Sequence, residues 1–416
     1  MKYLINGGKK LDGELSVISS KNAVLPIIAG SIMCDEDVSI QNVPLISDVC
    51  SMIKLLKDIN VNVNIKSNTL EISSKEINSC FLSDKLTKEI RSSIFMLGPL
   101  LTKMKKAICA YPGGCNIGLR PIDLHIKGLK ALNVKITEQH GYIYCDGSNM
   151  KPATIHLDFP SVGATENIIM TAVKIKGKTT IINPAKEPEI VDLQNFLNSM
   201  GAKISGAGGN IIEIIGVNKL HSTIYTPIPD RIIAGTYLIG VAMTGGKLLL
   251  HNVNCQHLTI VLEKLKSISC KIKTENDKIF LESSGKLKSF GEISTSPYPG
   301  FPTDLQPQML ALATTLKGVS LIEENLFETR FKHVPELTKM GAKIILKDRL
   351  AIIKGQKKLS GAEVYATDLR AGSALVLAGL KAEGYTTVND IYHIERGYID
   401  LDKEFNKIGA DIKKIE

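Results

Sequence analysis

Short runs of alternating apolar and polar residues follow longer helical stripes along this chain, and one junction between them returns six times. An apolar residue, two small or polar residues and the polar–apolar start of a strand occur at Ile59-Asn60-Val61-Asn62-Val63, Leu132-Asn133-Val134-Lys135-Ile136 and Met200-Gly201-Ala202-Lys203-Ile204. They return at Ile268-Ser269-Cys270-Lys271-Ile272, Met340-Gly341-Ala342-Lys343-Ile344 and Ile408-Gly409-Ala410-Asp411-Ile412. The starts at 59, 132, 200, 268, 340 and 408 are spaced by 73, 68, 68, 72 and 68 residues. That regularity marks structural duplication.

Before the third junction, Val191, Leu193, Phe196, Leu197 and Met200 form a helical stripe that predicts a helix ending at Gly201 as its C-cap. The strand Lys203 to Ser205, a turn over Gly206 to Asn210 and a second strand, Ile211 to Ile215, should follow. The fourth unit reads alike, with a turn over Thr274 to Asp277 and a strand over Lys278 to Glu282. Helix, strand, turn and strand, six times over, predict an α/β fold with antiparallel hairpins. A period near 70 holds a small α/β subdomain, and six group most simply as three plus three. Tyr225-Thr226-Pro227-Ile228-Pro229-Asp230, with two prolines, is the expected hinge between two lobes. The site is then expected in the cleft between them.

At 416 residues the chain exceeds one compact core, which agrees with two domains. No apolar run approaches the ~20 residues that span a bilayer. Met1 to Lys10 lacks the apolar core of a signal peptide, so no membrane association and a cytoplasmic location are expected. None of the eight cysteines forms a C-x-x-C pair and no histidine cluster has ligand spacing, so no metal is expected. Most of the thiols should be buried and reduced. The net charge of +9 suits multiply anionic substrates; scattered lysines, no Trp and 5% aromatic residues argue against a nucleic-acid partner.

One cysteine differs from the rest. Cys115 lies in Tyr111-Pro112-Gly113-Gly114-Cys115-Asn116-Ile117-Gly118-Leu119-Arg120-Pro121-Ile122-Asp123-Leu124-His125, a segment whose glycines and prolines exclude a helix interior or a central strand. A thiol on a loop beside Arg120 is an arrangement for chemistry on an anion. Lys21-Asn22 opens the apolar stretch Ala23 to Ile28, with Ser20 as its cap, and reads either as a solvated first turn or as an anion site. Ser161-Val162-Gly163-Ala164-Thr165-Glu166-Asn167 reads as a capped helix with an acidic first turn, or as a free N-terminus for a diphosphate. Asp304, in Tyr298-Pro299-Gly300-Phe301-Pro302-Thr303-Asp304, is by local sequence a helix cap and by chemistry a rigidly held general base. Asp368-Leu369-Arg370 opens the helix Ala371 to Leu380, and Glu395-Arg396-Gly397-Tyr398 follows the strand-like Thr386 to Val388. Lys21, Arg120, Arg370 and Arg396 are cations at loop or helix-start positions.

Taken together, these segments resemble the UDP-N-acetylglucosamine 1-carboxyvinyltransferases, enolpyruvyl transferases of peptidoglycan synthesis, and the resemblance covers the whole chain. It implies a two-lobed inside-out α/β barrel of six βαβαββ-like repeats, three per lobe. The lobes would be 21–229 and 1–20 plus 230–416, the first strand crossing to the second lobe. The partners would be phosphoenolpyruvate and UDP-N-acetylglucosamine, the protein a monomer, with no cofactor. The reaction would be addition and elimination through a tetrahedral ketal. Catalysis would fall to Cys115 as proton donor and Asp304 as general base, with Lys21, Arg396 and Asp368. Substrate contacts would come from Lys21, Asn22, Arg91, Arg120, Pro121, Ile122, Asp123, Leu124, Ser161, Val162, Gly163, Asp304, Leu326, Arg370 and Arg396. The epoxide fosfomycin would alkylate Cys115. Three other readings stay open here: the shikimate-pathway transferase on the same scaffold, a non-enzymatic paralogue that binds the nucleotide sugar, and RNA end-processing on a related repeat fold.

Overall fold

The computed structural model describes residues 1–113, 117–118 and 121–416; Cys115 and Arg120 lie outside the described residues. Contacts divide the chain into two compact units. One is formed by Met1–Ile18 with Pro229–Glu416, joined by Ile117 and Gly118; the other occupies the chain from Ser19 to Ile228.

The sixfold junction has one physical cause. Asn60, Asn133, Gly201, Ser269, Gly341 and Gly409, the second residue of each junction, all take a left-handed conformation with φ between 64° and 100°. The amide of each following residue donates back five positions, Val61 to Leu56, Val134 to Leu129, Ala202 to Leu197, Cys270 to Leu265, Ala342 to Leu337 and Ala410 to Phe405. This is the Schellman ending of a helix, in which a left-handed residue lets two amides satisfy otherwise unpaired terminal carbonyls. The six acceptor residues are apolar and fully buried, so each ending also locks its helix onto a core.

Helix Pro188–Ser199, strand Lys203–Ser205 and strand Ile211–Ile215 follow as the pattern predicts. The turn of the fourth unit is tighter than expected, because strand Lys271–Glu275 runs into it and pairs Glu275 with Lys278. Among the described residues there are five four-stranded sheets and one of three strands. Each four-stranded sheet joins one parallel edge pair to two antiparallel pairings; Thr154–His156 beside Lys178–Ile182 is one such edge. In the three-stranded sheet a single bridge from Phe81 to Ile108 stands where the parallel edge would be.

The sixth hairpin is completed from the start of the chain. Its second strand is Lys2–Asn6, which pairs with both Tyr385–Asn389 and Ile412–Ile415. Leu11–Ser16 then pairs in parallel with Gly246–His251. The Tyr225 to Asp230 stretch is hydrogen-bonded to the outgoing chain: Ser20 donates to Ile228 O and Asp230 to Ile18 O.

Each unit encloses three helices that are buried almost all round. In one they are Lys21–Ser31, Leu97–Met104 and Val162–Ala172. In the other they are Arg231–Thr244, Gln306–Ala313 and Leu369–Lys381. Apolar helices inside and half-polar sheets outside explain why helical periodicity is faint in these segments. Among the described residues Cys34, Cys109, Cys145 and Cys270 are buried as expected, whereas Cys50, Cys80 and Cys255 are half-buried. Burial pushes the Cys145 thiol up to about 12 and Cys270 up to about 11, which makes both inert. No helix among the described residues is long and apolar enough to cross a membrane.

Candidate active site

In the unit from Ser19 to Ile228, the N-terminus of the helix Val162–Ala172 and the start of Asp123–Ala131 are tied together by neutral groups. Asn167 Nδ2 donates to Ile94 O at 2.9 Å and lies 2.8 Å from His125 Nδ1, while its Oδ1 accepts from the Gly98 amide at 3.0 Å. A Cβ on Gly163 would stand 3.0 Å from the His125 ring and 3.4 Å from Phe95, so glycine lets the three segments close up. Burial, and then the charge of Arg91, push the His125 imidazole down to about 3. The ring is neutral.

Ser161 caps this helix by accepting from the Ala164 amide at 3.4 Å. The expected acidic first turn is absent: Glu166 is wholly buried, and desolvation, then the charges of Glu189 and Glu187, raise it well above the usual carboxylate range. It is a neutral acid of the interior. Val162 and Gly163 stay half-buried beside Ser161 at the helix start. Pro121 and Asp123 are exposed, Ile122 is buried and Leu124 half-buried at the start of the neighbouring helix.

Lys21 opens the helix Lys21–Ser31 with Asn22 next to it, but Ser20 makes no side-chain cap. Nor is Lys21 solvated: its Nζ lies 3.3 Å from Asp48 Oδ2, the two side chains being 14% and 7% exposed. Arg91 begins the 3-10 turn Arg91–Met96 and reaches Pro112 O at 3.4 Å. Gly113, three residues after the strand Lys106–Ala110, makes a close approach to the backbone. A Cβ on Gly113 would lie 1.8 Å from the Lys88 carbonyl oxygen, so only glycine fits there.

The other unit gathers charges. Asp304 is not at a cap position: Leu305 precedes the helix Gln306–Ala313, and Asp304 lies inside the 3-10 turn Thr303–Leu305. Its Oδ1 is 2.9 Å from Arg330 and its Oδ2 is 2.9 Å from Arg370, both guanidinium groups being 3% exposed. A carboxylate between two guanidinium groups is held in one orientation. Arg370 also reaches the Tyr398 hydroxyl at 3.4 Å, and that hydroxyl lies 2.8 Å from Thr236 Oγ1. Arg370 therefore stands behind Asp304, a different place from an open anion contact. Asp368 caps the helix Leu369–Lys381 by accepting from the Arg370 and Ala371 amides at 2.9 and 3.1 Å.

Buried His333 lies between the charges of Asp368 and Arg330, and burial pushes it down to about 4. Arg396 ends the 3-10 turn Ile391–Arg396, half-buried, and its charge reaches His393, as does that of Asp368. Leu326 is half-buried and donates its amide to Glu324 at 2.9 Å.

Sequence reasoning thus missed Arg330, Asp48, His333 and Glu324. Only Arg330 left a signal, a lone arginine four residues after Leu326. A cavity of about 580 Å³ lined by Pro229, Cys255, Gln256 and Asp277 touches none of the residues above, and it belongs to the surface. Among the described residues no cluster of metal-ligating side chains occurs.

Comparisons with known proteins identify the family. The family described as EPSP synthase (3-phosphoshikimate 1-carboxyvinyltransferase) matches residues 5–405. A relative from Caldanaerobacter subterraneus, named UDP-N-acetylglucosamine 1-carboxyvinyltransferase 2, is 50% identical over 100% of this chain and 99% of its own. The UDP-N-acetylglucosamine 1-carboxyvinyltransferase of Thermotoga maritima is 46% identical at the same coverage of each chain. Among solved structures, the enolpyruvyl transferase NikO from Streptomyces tendae superposes with a TM-score of 0.90 over 99% of this chain and 98% of its own, at 23% identity. An EPSP synthase from Acinetobacter baumannii gives 0.77 over the full length of both chains, at 18% identity. These two likenesses establish the fold, a two-lobe α/β architecture.

Proposed function

Because this chain belongs to the enolpyruvyl transferase family and is half identical, end to end, to a UDP-N-acetylglucosamine 1-carboxyvinyltransferase, we propose how its own residues divide the labour of that reaction. The enzyme transfers the enolpyruvyl group of phosphoenolpyruvate to the 3'-hydroxyl of UDP-N-acetylglucosamine and releases phosphate. The observation that carries the assignment is Asp304, a partly open carboxylate fixed between two buried guanidinium groups.

Asp304 takes the proton of the attacking hydroxyl as its oxygen bonds to C2 of phosphoenolpyruvate. Cys115 gives a proton to C3, so the double bond is consumed and a tetrahedral ketal forms. The Cys115 thiolate left by that step then takes a C3 proton back. The double bond returns as the C–O bond to phosphate breaks, and the proton on Asp304 leaves with the phosphate. Lys21, Arg120 and Arg396 hold the phosphate and carboxylate, each charge-assisted contact contributing about 1.5–3 kcal/mol. The parts given to Cys115 and Arg120 rest on the resemblance alone.

Arg370, with Arg330, orients Asp304, and Asp368 fixes the start of the helix that carries Arg370. Asn22, Arg91, Pro121 to Leu124, Ser161 to Gly163 and Leu326 receive the nucleotide sugar, whose diphosphate suits the amides at the start of Val162–Ala172. The lobes 21–229 and 1–20 with 230–416 each supply part of this set. The enzyme works as a cytoplasmic monomer without a cofactor.

The test is product identification by mass spectrometry with each acceptor in turn. Enolpyruvyl-UDP-N-acetylglucosamine should form, with one phosphate released per product. Turnover with shikimate 3-phosphate, and none with the nucleotide sugar, would assign the chain to the other branch of its family.

A further inference from the structure

Glu324 follows directly on the strand Val319–Glu323, is 0% exposed, and is held by four neutral donors. Its Oε1 accepts from the amides of Leu326 at 2.9 Å and Phe327 at 3.2 Å and from Thr295 Oγ1 at 2.9 Å. Its Oε2 accepts from Thr303 Oγ1 at 2.9 Å. A buried carboxylate is tolerated only where such bonds replace its water. One side chain thereby stitches three segments. These are the end of the strand Glu292–Ser294, the turn that presents Asp304, and the segment running from Leu326 to Arg330. The third segment returns to the second, since Arg330 donates to both the Thr303 carbonyl at 3.3 Å and Asp304 Oδ1 at 2.9 Å. Asp304 is therefore braced twice, by guanidinium groups at its oxygens and by Glu324 through the preceding residue.

We propose that Glu324 is a positioning residue for the transfer reaction, setting the distance and angle between the Asp304 carboxylate and the substrate contact at Leu326. The inference rests on the reading of Asp304 as base and Leu326 as a nucleotide-sugar contact. Glutamine at 324 can keep the three bonds at its oxygen and turn its NH2 toward Thr303, whose hydroxyl can rotate and accept. Alanine removes all four bonds. A misplacement of about 1 Å at a reacting group lowers turnover on the order of 100-fold.

The experiment is steady-state kinetics per folded molecule, with urea unfolding in parallel, on the wild type, Glu324→Ala, Glu324→Gln and Asp304→Asn. Glu324→Ala should lower kcat at least tenfold or so and raise the KM for UDP-N-acetylglucosamine several-fold. It should leave the KM for phosphoenolpyruvate within about twofold, since the four bonds lost run to Thr295, Thr303 and the amides of Leu326 and Phe327. Glu324→Gln should restore kcat to within about threefold. A wild-type kcat in Glu324→Ala, with Asp304→Asn slow, overturns the inference and spares the base. A wild-type kcat in Asp304→Asn removes the base reading itself. Where Glu324→Ala does not fold, Thr303→Val decides: a fall in kcat of about threefold or more sustains the inference, and no change overturns it.

Discussion

The surroundings of Asp304 and of His125 lie in two units built from the same repeat, yet they satisfy their polar groups in opposite ways. Around Asp304 the partners are charged, with Arg330 and Arg370 each at 2.9 Å. Around His125 they are neutral, with Asn167 joining the ring to Ile94 and Gly98. Paired charges fix one carboxylate in direction, which is what a reacting group needs. Neutral bonds between helix starts fix backbone amides without adding a field of their own, which suits the holding of a diphosphate. On the proposed reading, the charged site around Asp304 serves the proton transfer and the neutral junction around His125 serves the holding of the nucleotide sugar.

Substitutions should separate the two. The largest effect is expected for Asp304→Asn, which keeps shape and loses the base: kcat should fall by about 10²–10⁴-fold in a phosphate-release assay. Asn167→Ala should act on the other side, removing three hydrogen bonds from a buried junction. The unfolding free energy should drop by about 2–4 kcal/mol in urea titrations, with KM for the nucleotide sugar rising more than kcat falls. Equal losses of kcat in both variants would erase the contrast.

The smallest effect concerns acid. His125 is neutral in the folded chain down to about pH 3, whereas an unfolded histidine takes up a proton near 6.5. Between those values the unfolded chain binds the extra proton, so stability is lost as pH falls. By pH 5 this one ring contributes a loss of about 2 kcal/mol. His333, pushed down to about 4, adds to the same slope from the other unit. In His125→Gln the slope of unfolding free energy against pH near pH 5 should shrink by about 1.4 kcal/mol per pH unit. An unchanged slope would show the ring to be accessible to protons.

The division between legible and hidden follows the range of each interaction. The six helix endings could be read because the left-handed residue and its apolar neighbours are adjacent in sequence. Ser161 at its helix start was legible for the same reason. Asp304 stood out by its prolines, but local sequence favoured a cap, because Arg330 and Arg370 lie 26 and 66 residues away. Asp48 beside Lys21 and Glu324 beneath Thr303 were hidden likewise. The repeat pattern alone does not show where the sixth hairpin finds its second strand, because that strand comes from the opposite end of the chain; only the resemblance implies the crossing. Glu166 misled through charge, since a wholly buried acid just past the first turn reads in sequence like a first-turn glutamate.

The central claim, that the charged site drives the chemical step and the neutral one holds the nucleotide sugar, is tested most directly by titrating UDP-N-acetylglucosamine into Asp304→Asn by calorimetry. The account predicts a Kd within about threefold of the wild type in a protein whose turnover has fallen at least 100-fold or so. A Kd weakened in proportion to the lost turnover would contradict it.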